Sequence, residues 1–100
     1  MNDNKSIQGT FYFDTNDPVF QVHFPSFSVV PGSLIIHAFL KAITQNATLP
    51  RNITIKSFKF IHFAKPGNAT YEIKISKTQT QCYLFQNKKI IAKGLIKHET

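Results

Sequence analysis

One stretch of this sequence, between Pro31 and Pro50, has the composition of a helix and is apolar on nearly every side. Pro31 and Gly32 favour a helix start, and the apolar run is interrupted only by His37 and Lys41. The run is well short of the roughly 20 residues that a membrane span needs. A helix of this kind must be enclosed by protein, so the sequence predicts a central, buried helix. Its apolar residues are Leu34, Ile35, Ile36, Ala38, Phe39, Leu40, Ala42 and Ile43.

The remainder of the chain favours β-strands. Residues 9–13 are rich in β-formers, residues 14–18 form a turn-rich cluster, and residues 19–24 indicate a second, short extended piece. After Arg51 the chain is almost entirely strand-like. The alternation of apolar residues changes phase near Lys56, which predicts a bulge or sharp twist there.

The C-terminal part predicts further strands. Residues 71–78 alternate between apolar and polar side chains, and residues 81–99 fit two strands joined by a tight turn at Asn87 and Lys88. The sum is an α+β layout, with a single antiparallel sheet of about five or six strands around one helix. We expect one domain over residues 1–100, because a chain of this length supports a single small core.

The net charge and the cysteine content indicate the class of partner and the cellular compartment to expect. The net charge of +7 indicates an acidic partner, such as nucleic acid, an anionic membrane or an acidic protein. The lysines are scattered among strands without a nucleic-acid motif, so nucleic acid is disfavoured, and no membrane span is expected. Cys82 is the only cysteine, and no signal peptide is evident, so a cytoplasmic location is expected.

The segment VHFPSFSVVPGSLIIH resembles the motif GHFPxxPxxPGxLxxE of the hotdog-fold 3-hydroxyacyl-(acyl-carrier-protein) dehydratases. The resemblance continues into IKSFKFIHFAKPGNATYEIKI and NKKIIAKGLI, and so covers most of residues 8–97. Val22 stands where the family has glycine, and Ser28 where it has proline, which puts substrate length in question. The matching motif positions are His23, Phe24, Pro25, Pro31, Gly32 and Leu34.

The resemblance implies a long antiparallel sheet wrapped around a central helix, and dimers with two active sites at their interface. Each family site takes a histidine from one subunit and a carboxylate from the helix of the other. His23 matches that histidine, whereas His37 occupies the acid position. We therefore expect a homodimer, or a heterodimer with a related hotdog subunit, in which the helices approach and the sheets pair edge to edge.

The implied reaction explains these residue types. Dehydration of a 3-hydroxyacyl thioester needs a base for the α-proton, and a neutral imidazole with a pKa near ~6.5 suits this role for His23. The backbone N–H of Gly32, at the start of a helix, suits a developing oxyanion. The resemblance assigns substrate contacts to Phe24, Pro25, Pro31 and Leu34.

His37 leaves two interpretations open: an acid that replaces the carboxylate, or a core histidine bonded to a backbone carbonyl. His62 and His98 are expected to be structural or surface residues, with His98 at a frayed end. The histidines show no metal-ligand spacing, so no metal and no cofactor is expected. Cys82 is expected to be a packed small residue rather than a nucleophile.

The leading hypothesis is a dehydratase-like protein that acts on acyl-carrier-protein thioesters in fatty acid or polyketide-type synthesis, with His37 in place of the acid. One alternative is a hotdog thioesterase, for which the helix lacks the usual carboxylate. Another is a catalytically impaired subunit that binds acyl chains or completes a heterodimer. Basic residues could steer an acidic carrier protein, namely Lys41, Arg51, Lys56, Lys59 and Lys65.

Overall fold

The computed structural model describes residues 4–14, 29–46 and 52–99. Within them the chain forms one helix and one sheet of five strands, which confirms the predicted α+β layout. The extended piece predicted at residues 19–24 lies outside the described residues. The elements are β1 (Lys5–Phe13), α1 (Gly32–Asn46), β2 (Asn52–Phe60), β3 (Gly67–Ile75), β4 (Gln79–Gln86) and β5 (Lys89–Glu99).

The sheet is antiparallel throughout, with the strand order β1-β3-β4-β5-β2. Strands β3, β4 and β5 are successive neighbours, whereas β1 and β2 lie at the two edges of the described sheet. The predicted bulge is confirmed, because the pairing of β2 with β5 shifts between Ile55 and Ser57. The shift moves Phe58 to the face that packs against the helix, where its ring contacts Phe39.

The tight turn predicted between the last two strands is also confirmed. Asn87 and Lys88 both have positive φ angles, of 52° and 64°. Two consecutive left-handed residues match the right-handed twist of the flanking strands. Asparagine tolerates this conformation well, whereas lysine adopts it rarely.

The helix buries one face rather than its whole circumference. Ile35, Phe39 and Ile43 are almost completely buried, whereas His37 and Lys41 are exposed. The prediction of a helix enclosed on every side is therefore wrong for the single chain. The residues on the flanks of the buried face are half-buried and account for the apolar character of the sequence, namely Leu34, Ile36, Ala38 and Leu40.

The core lies between α1 and the inner face of the sheet. The Phe39 ring is completely buried and contacts the rings of Phe11, at 5.1 Å, and Phe58, at 5.8 Å between centroids. Cys82 is also fully buried, and burial raises the pKa of its thiol to about 12. The full burial confirms that Cys82 is a packed residue, and its thiol stays protonated near neutral pH.

A lysine from β1 holds the C-terminal end of the helix. Lys5 Nζ donates a hydrogen bond to the carbonyl oxygen of Asn46, the last residue of α1. The last turn contains no basic side chain of its own, so Lys5 supplies the positive charge that the helix dipole favours there. No helix within the described residues is long and apolar enough to cross a membrane.

His98 is a buried part of the sheet, so the expected frayed end is wrong. Its side chain is only 7% exposed, and its Nε2 lies 2.7 Å from the Thr80 hydroxyl in a hydrogen bond. Its backbone N–H donates to the carbonyl of Thr78 at 2.9 Å, and it pairs with Ile53 across the strands. Desolvation lowers the pKa of His98 below its ordinary value of 6.5.

The His98 environment predicts a loss of stability in acid. The unfolded chain protonates His98 near pH 6.5, whereas the folded chain resists protonation to lower pH. The contribution of His98 is thus fully present above pH 6.5 and is lost as the pH falls through the lowered folded-state pKa.

Urea unfolding at about pH 8 and about pH 5 tests this expectation. The wild type should lose more stability between these conditions than His98→Gln, which can keep a hydrogen bond to Thr80. His62→Gln is the matched control, because His62 is exposed, and it should behave as the wild type does. Equal acid sensitivity in His98→Gln and wild type would contradict the assignment.

Candidate functional site

The N-terminus of α1 has no side-chain cap among the residues that the structure describes. The carbonyl of Pro31 accepts hydrogen bonds from the N–H groups of Leu34, at 3.0 Å, and Ile35, at 3.3 Å, so Pro31 is the cap residue. A proline side chain has no acceptor for the next amides. The N–H groups of Gly32 and Ser33 therefore find no acceptor within the described chain.

The segment before the helix is fixed to the segment after β2. Val30 is buried, and its N–H donates to the carbonyl of Ala64 at 2.8 Å. The segment after β2 is in turn bonded to the β4–β5 hairpin. The Gln86 side chain accepts a hydrogen bond from the N–H of Lys65 at 2.9 Å and donates one to the carbonyl of Lys65 at 2.8 Å. The N–H of Ile61 adds a bond to the hairpin. The uncapped amides are thus held at a fixed place relative to the sheet.

An aromatic ring packs directly against Gly32. A Cβ atom at Gly32 would lie 2.8 Å from Cζ of Phe60, so only glycine permits this approach without movement of the ring. The Phe60 side chain is 46% exposed and stacks on Phe58, with 6.0 Å between the ring centroids. Gly32, Ser33 and Phe60 together form what we call the N-terminal site: two uncapped amides beside a half-exposed apolar wall.

The charge of this site favours an anionic oxygen. The first turn of α1 contains no acidic residue, so nothing within the helix neutralises the positive end of its dipole. Oriented amides near an apolar wall stabilise negative charge more strongly than water does, because they need no reorientation. The arrangement can therefore bind a carbonyl oxygen that becomes an oxyanion.

His37 lies on the surface of the helix, together with Ser33 and Lys41. It follows Gly32 by five residues, which corresponds to a rise of about 7.5 Å along the helix axis. Because the side chain is exposed, the interpretation of His37 as a buried core histidine is wrong for the single chain. The imidazole is instead accessible to a second chain or to a ligand.

The structure brings only part of the predicted site together. Pro31, Gly32 and Leu34 lie at the start of α1 and are partly exposed. The predicted residues His23, Phe24 and Pro25 lie outside the described residues.

The other predicted functional groups lie apart from one another. His62 is exposed in the loop after β2, and residues 4–14, 29–46 and 52–99 hold no cluster of three metal-ligating side chains. Arg51, proposed as a steering residue, lies outside the described residues. The remaining proposed steering residues are all exposed: Lys41, Lys56, Lys59 and Lys65.

Phe60 is a site residue that the sequence did not reveal. The phase change near Lys56 marks Phe58 and Phe60 as alternating strand residues, but any apolar strand residue would give that signal. Their two glycine contacts, Phe60 on Gly32 and Phe58 on Gly94, arise between segments far apart in the sequence. Only the register of β2 against the helix shows which phenylalanine meets the uncapped amides.

Comparisons with known proteins agree with this fold. A family model of ApeI-like proteins, described as ApeI dehydratase, matches residues 1–95. The chain is 30% identical to a Lawsonia intracellularis 3-hydroxyacyl-(acyl-carrier-protein) dehydratase FabZ, over 96% of this chain and 74% of that protein. It is 34% identical to the Rickettsia africae 3-hydroxyacyl-(acyl-carrier-protein) dehydratase FabZ. That match covers 68% of this chain and 53% of the Rickettsia protein, so this chain spans about half of that relative's length.

Two solved structures share the architecture. The ApeI:P dehydratase heterocomplex of Xenorhabdus doucetiae superposes with a TM-score of 0.69 at 21% identity, over 94% of this chain and 91% of that chain. An Archaeoglobus fulgidus protein superposes with a TM-score of 0.61 at 15% identity, over 97% and 77% of the two chains. These likenesses establish the hotdog fold.

The contact between Gly32 and Phe60 predicts a change of sign in a double-mutant cycle. Gly32→Ala alone should destabilise the protein by up to about 1 kcal/mol, because the new methyl group overlaps the half-exposed ring and forces it to move. In a Phe60→Ala background the same substitution should stabilise by up to about 0.5 kcal/mol, since alanine is the better helix former but Gly32 is only the first helical residue. Urea unfolding of the four proteins measures both values. An equal effect of Gly32→Ala in both backgrounds would show that the ring does not depend on glycine.

Proposed function

Because the chain belongs to the ApeI-like dehydratase family, we propose that it forms half of a site that dehydrates 3-hydroxyacyl thioesters of acyl carrier protein. The observation that carries this proposal is the N-terminal site, with two uncapped amides beside the half-exposed ring of Phe60. It suits a thioester carbonyl whose oxygen gains negative charge during the reaction.

The reaction needs three groups, of which the N-terminal site supplies one. A base removes the proton from the α-carbon, and the electrons of that C–H bond move toward the thioester carbonyl. The amides of Gly32 and Ser33 then stabilise the enolate-like oxygen. As the α–β double bond forms, the β-carbon loses its hydroxyl group, which leaves as water after it receives a proton from an acid.

His23 is the proposed base. Its place in the HFP segment, nine residues before Gly32 (32 − 23 = 9), matches the family motif. A neutral imidazole accepts a proton near neutral pH because its ordinary pKa is close to ~6.5. Glycine at the start of the helix leaves room for the thioester beside that base.

The acid is proposed to come from a second, related hotdog chain. Helix α1 contains no aspartate or glutamate, so this chain lacks the family's carboxylate. The Xenorhabdus doucetiae relative is a dehydratase heterocomplex, which supports an assembly of two different chains. In such a pair, His23 and the Gly32 amide of this chain would complete one site with the partner's carboxylate. His37 would face the second, unused site.

A homodimer with His37 as the acid is the second candidate. The exposure of His37 favours it, because an imidazole on the surface can reach a site that a second copy completes. One of the two imidazoles, His23 or His37, would then accept the α-proton, and the other would donate a proton to the leaving hydroxyl. The two candidates differ in whether this chain alone is active.

An acidic carrier protein fits the charge of the chain. The net charge is +7, and Lys65 and Lys41 are exposed on segments next to the helix N-terminus and on the helix itself. Positive charge around a site raises the rate at which an acidic partner associates, and this effect declines with salt.

Dehydration assays test the proposal. They compare this chain alone, a related carboxylate-bearing hotdog chain alone, and the two chains co-expressed. We expect the chains to co-purify, and we expect activity that falls by about 10²-fold or more with His23→Ala. His62→Ala is the matched control and should retain activity.

Activity of this chain alone that is lost with His37→Ala would favour the homodimer. Binding of acyl thioesters without turnover in any combination would contradict dehydration and favour the impaired, acyl-binding subunit. Hydrolysis of the thioester instead of dehydration would favour the thioesterase.

A further inference from the structure

Two lysines lie directly opposite each other on the outer face of the sheet, away from the helix. Lys59 of β2 pairs with Lys93 of β5, and Lys93 pairs in turn with Tyr83 of β4. Directly opposed residues point to the same face, and both lysines are exposed. Like charges in this position destabilise a strand pair unless another group offsets them. We call Lys59 and Lys93 the lysine pair.

No carboxylate offsets the lysine pair within the described residues. The acidic side chain on the same row is Glu72, which lies beyond Tyr83. Glu72 already accepts a hydrogen bond from Gln8 Nε2 at 2.9 Å and lies 3.8 Å from Lys74 Nζ. Neither lysine of the pair forms a hydrogen bond or an ion pair in the described part of the chain.

A depression between the strands connects the lysine pair to neutral donors. It has a volume of about 230 Å³, and its wall includes both lysines and the hydroxyl-bearing side chains of Ser57 and Tyr83. Gln81, Gly94 and Leu95 complete the wall. The residues around the depression therefore include two lysines, two hydroxyl-bearing side chains and one side-chain amide, and the space is large enough for a small anion.

We propose that this depression binds the phosphate group of a phosphate ester. A phosphate carries up to two negative charges and three strong acceptor oxygens, which match two ammonium groups with neutral donors beside them. The bound anion would also remove the repulsion between Lys59 and Lys93. The phosphate could belong to a free metabolite or to the phosphopantetheine arm of a thioester carrier.

The position of Lys93 argues against a purely protective role for the pair. Lysines on edge strands keep sheets from pairing with other chains, and β2 is an edge of the described sheet. Lys59 fits that role, but Lys93 lies on β5, which is flanked by β2 and β4. Edge protection therefore does not explain why the second lysine faces the first.

The proposed phosphate site does not depend on dehydration. It lies on the outer face, whereas Phe60, the next residue after Lys59, contacts the helix N-terminus on the inner face. The binding experiment below requires no turnover. Failure of the phosphate site and failure of the proposed reaction are therefore distinguishable.

The test is a titration of the isotope-labelled protein with inorganic phosphate at constant ionic strength, followed by amide chemical shifts. We expect saturable shifts centred on Lys59, Tyr83 and Lys93. Lys59→Gln and Lys93→Gln should each weaken phosphate binding about tenfold or more, because each removes a charged donor. Lys77→Gln is the matched control, since Lys77 is exposed in the turn between β3 and β4, and it should bind as the wild type does.

Further titrations compare pantetheine 4′-phosphate with pantetheine. Tighter binding of pantetheine 4′-phosphate than of inorganic phosphate would identify a carrier arm as the source, and equal binding would show that the phosphate group alone is recognised, without the carrier arm. Equal binding of pantetheine and its phosphate would overturn the proposal. Absent binding, shifts centred elsewhere, or equal weakening in Lys77→Gln would also overturn it, and would leave the lysine pair as solvated surface charge.

Discussion

The packing of one face of α1 on the inner surface of the sheet is the constraint on which the remaining structure depends. Phe39 is fully buried at its centre, and its ring contacts rings from β1, β2 and β3. A side chain in such a position cannot shift without opening a cavity, and removal of a buried phenylalanine ring typically costs 3 to 5 kcal/mol. The helix therefore has a fixed rotation and depth, and so has its N-terminus. Lys5 fixes the opposite end by its bond to Asn46.

The fixed helix explains why the N-terminal site can have a chemical use. Backbone amides have no side-chain freedom, so their direction is set by the helix alone. The contact of Phe60 with Gly32 and the bond of Val30 to Ala64 prevent this end from moving relative to the sheet. Oriented donors of this kind stabilise developing charge because they are already in place when it appears. The missing carboxylate on α1 does not alter these donors, which is consistent with the proposal that another chain completes the site.

Several features follow directly from local sequence patterns, and the structure confirms them. The helix between Pro31 and Pro50, the bulge before Ser57 and the turn at Asn87 each depend on residues close together in the sequence. The motif that begins at His23 also identified the family, since its spacing is specific. The prediction of how much of α1 is buried was less accurate. Four residues on its flanks are as apolar as the buried ones but are only half-buried, namely Leu34, Ile36, Ala38 and Leu40. Composition cannot distinguish a half-buried flank from a buried face.

The sequence by itself determined the order of the elements, the hotdog family and the absence of an acid on the helix. Tertiary structure decided which distant residues meet. Three contacts depend on strand register or on the position of the helix against the sheet. They are the burial of His98 against Thr80, the contact of Phe60 with Gly32 and the opposition of Lys59 and Lys93. A shift of one residue in register would turn each strand side chain to the other face. Local propensity is nearly the same in both registers, and it is the burial of the whole inner face against α1 that selects one.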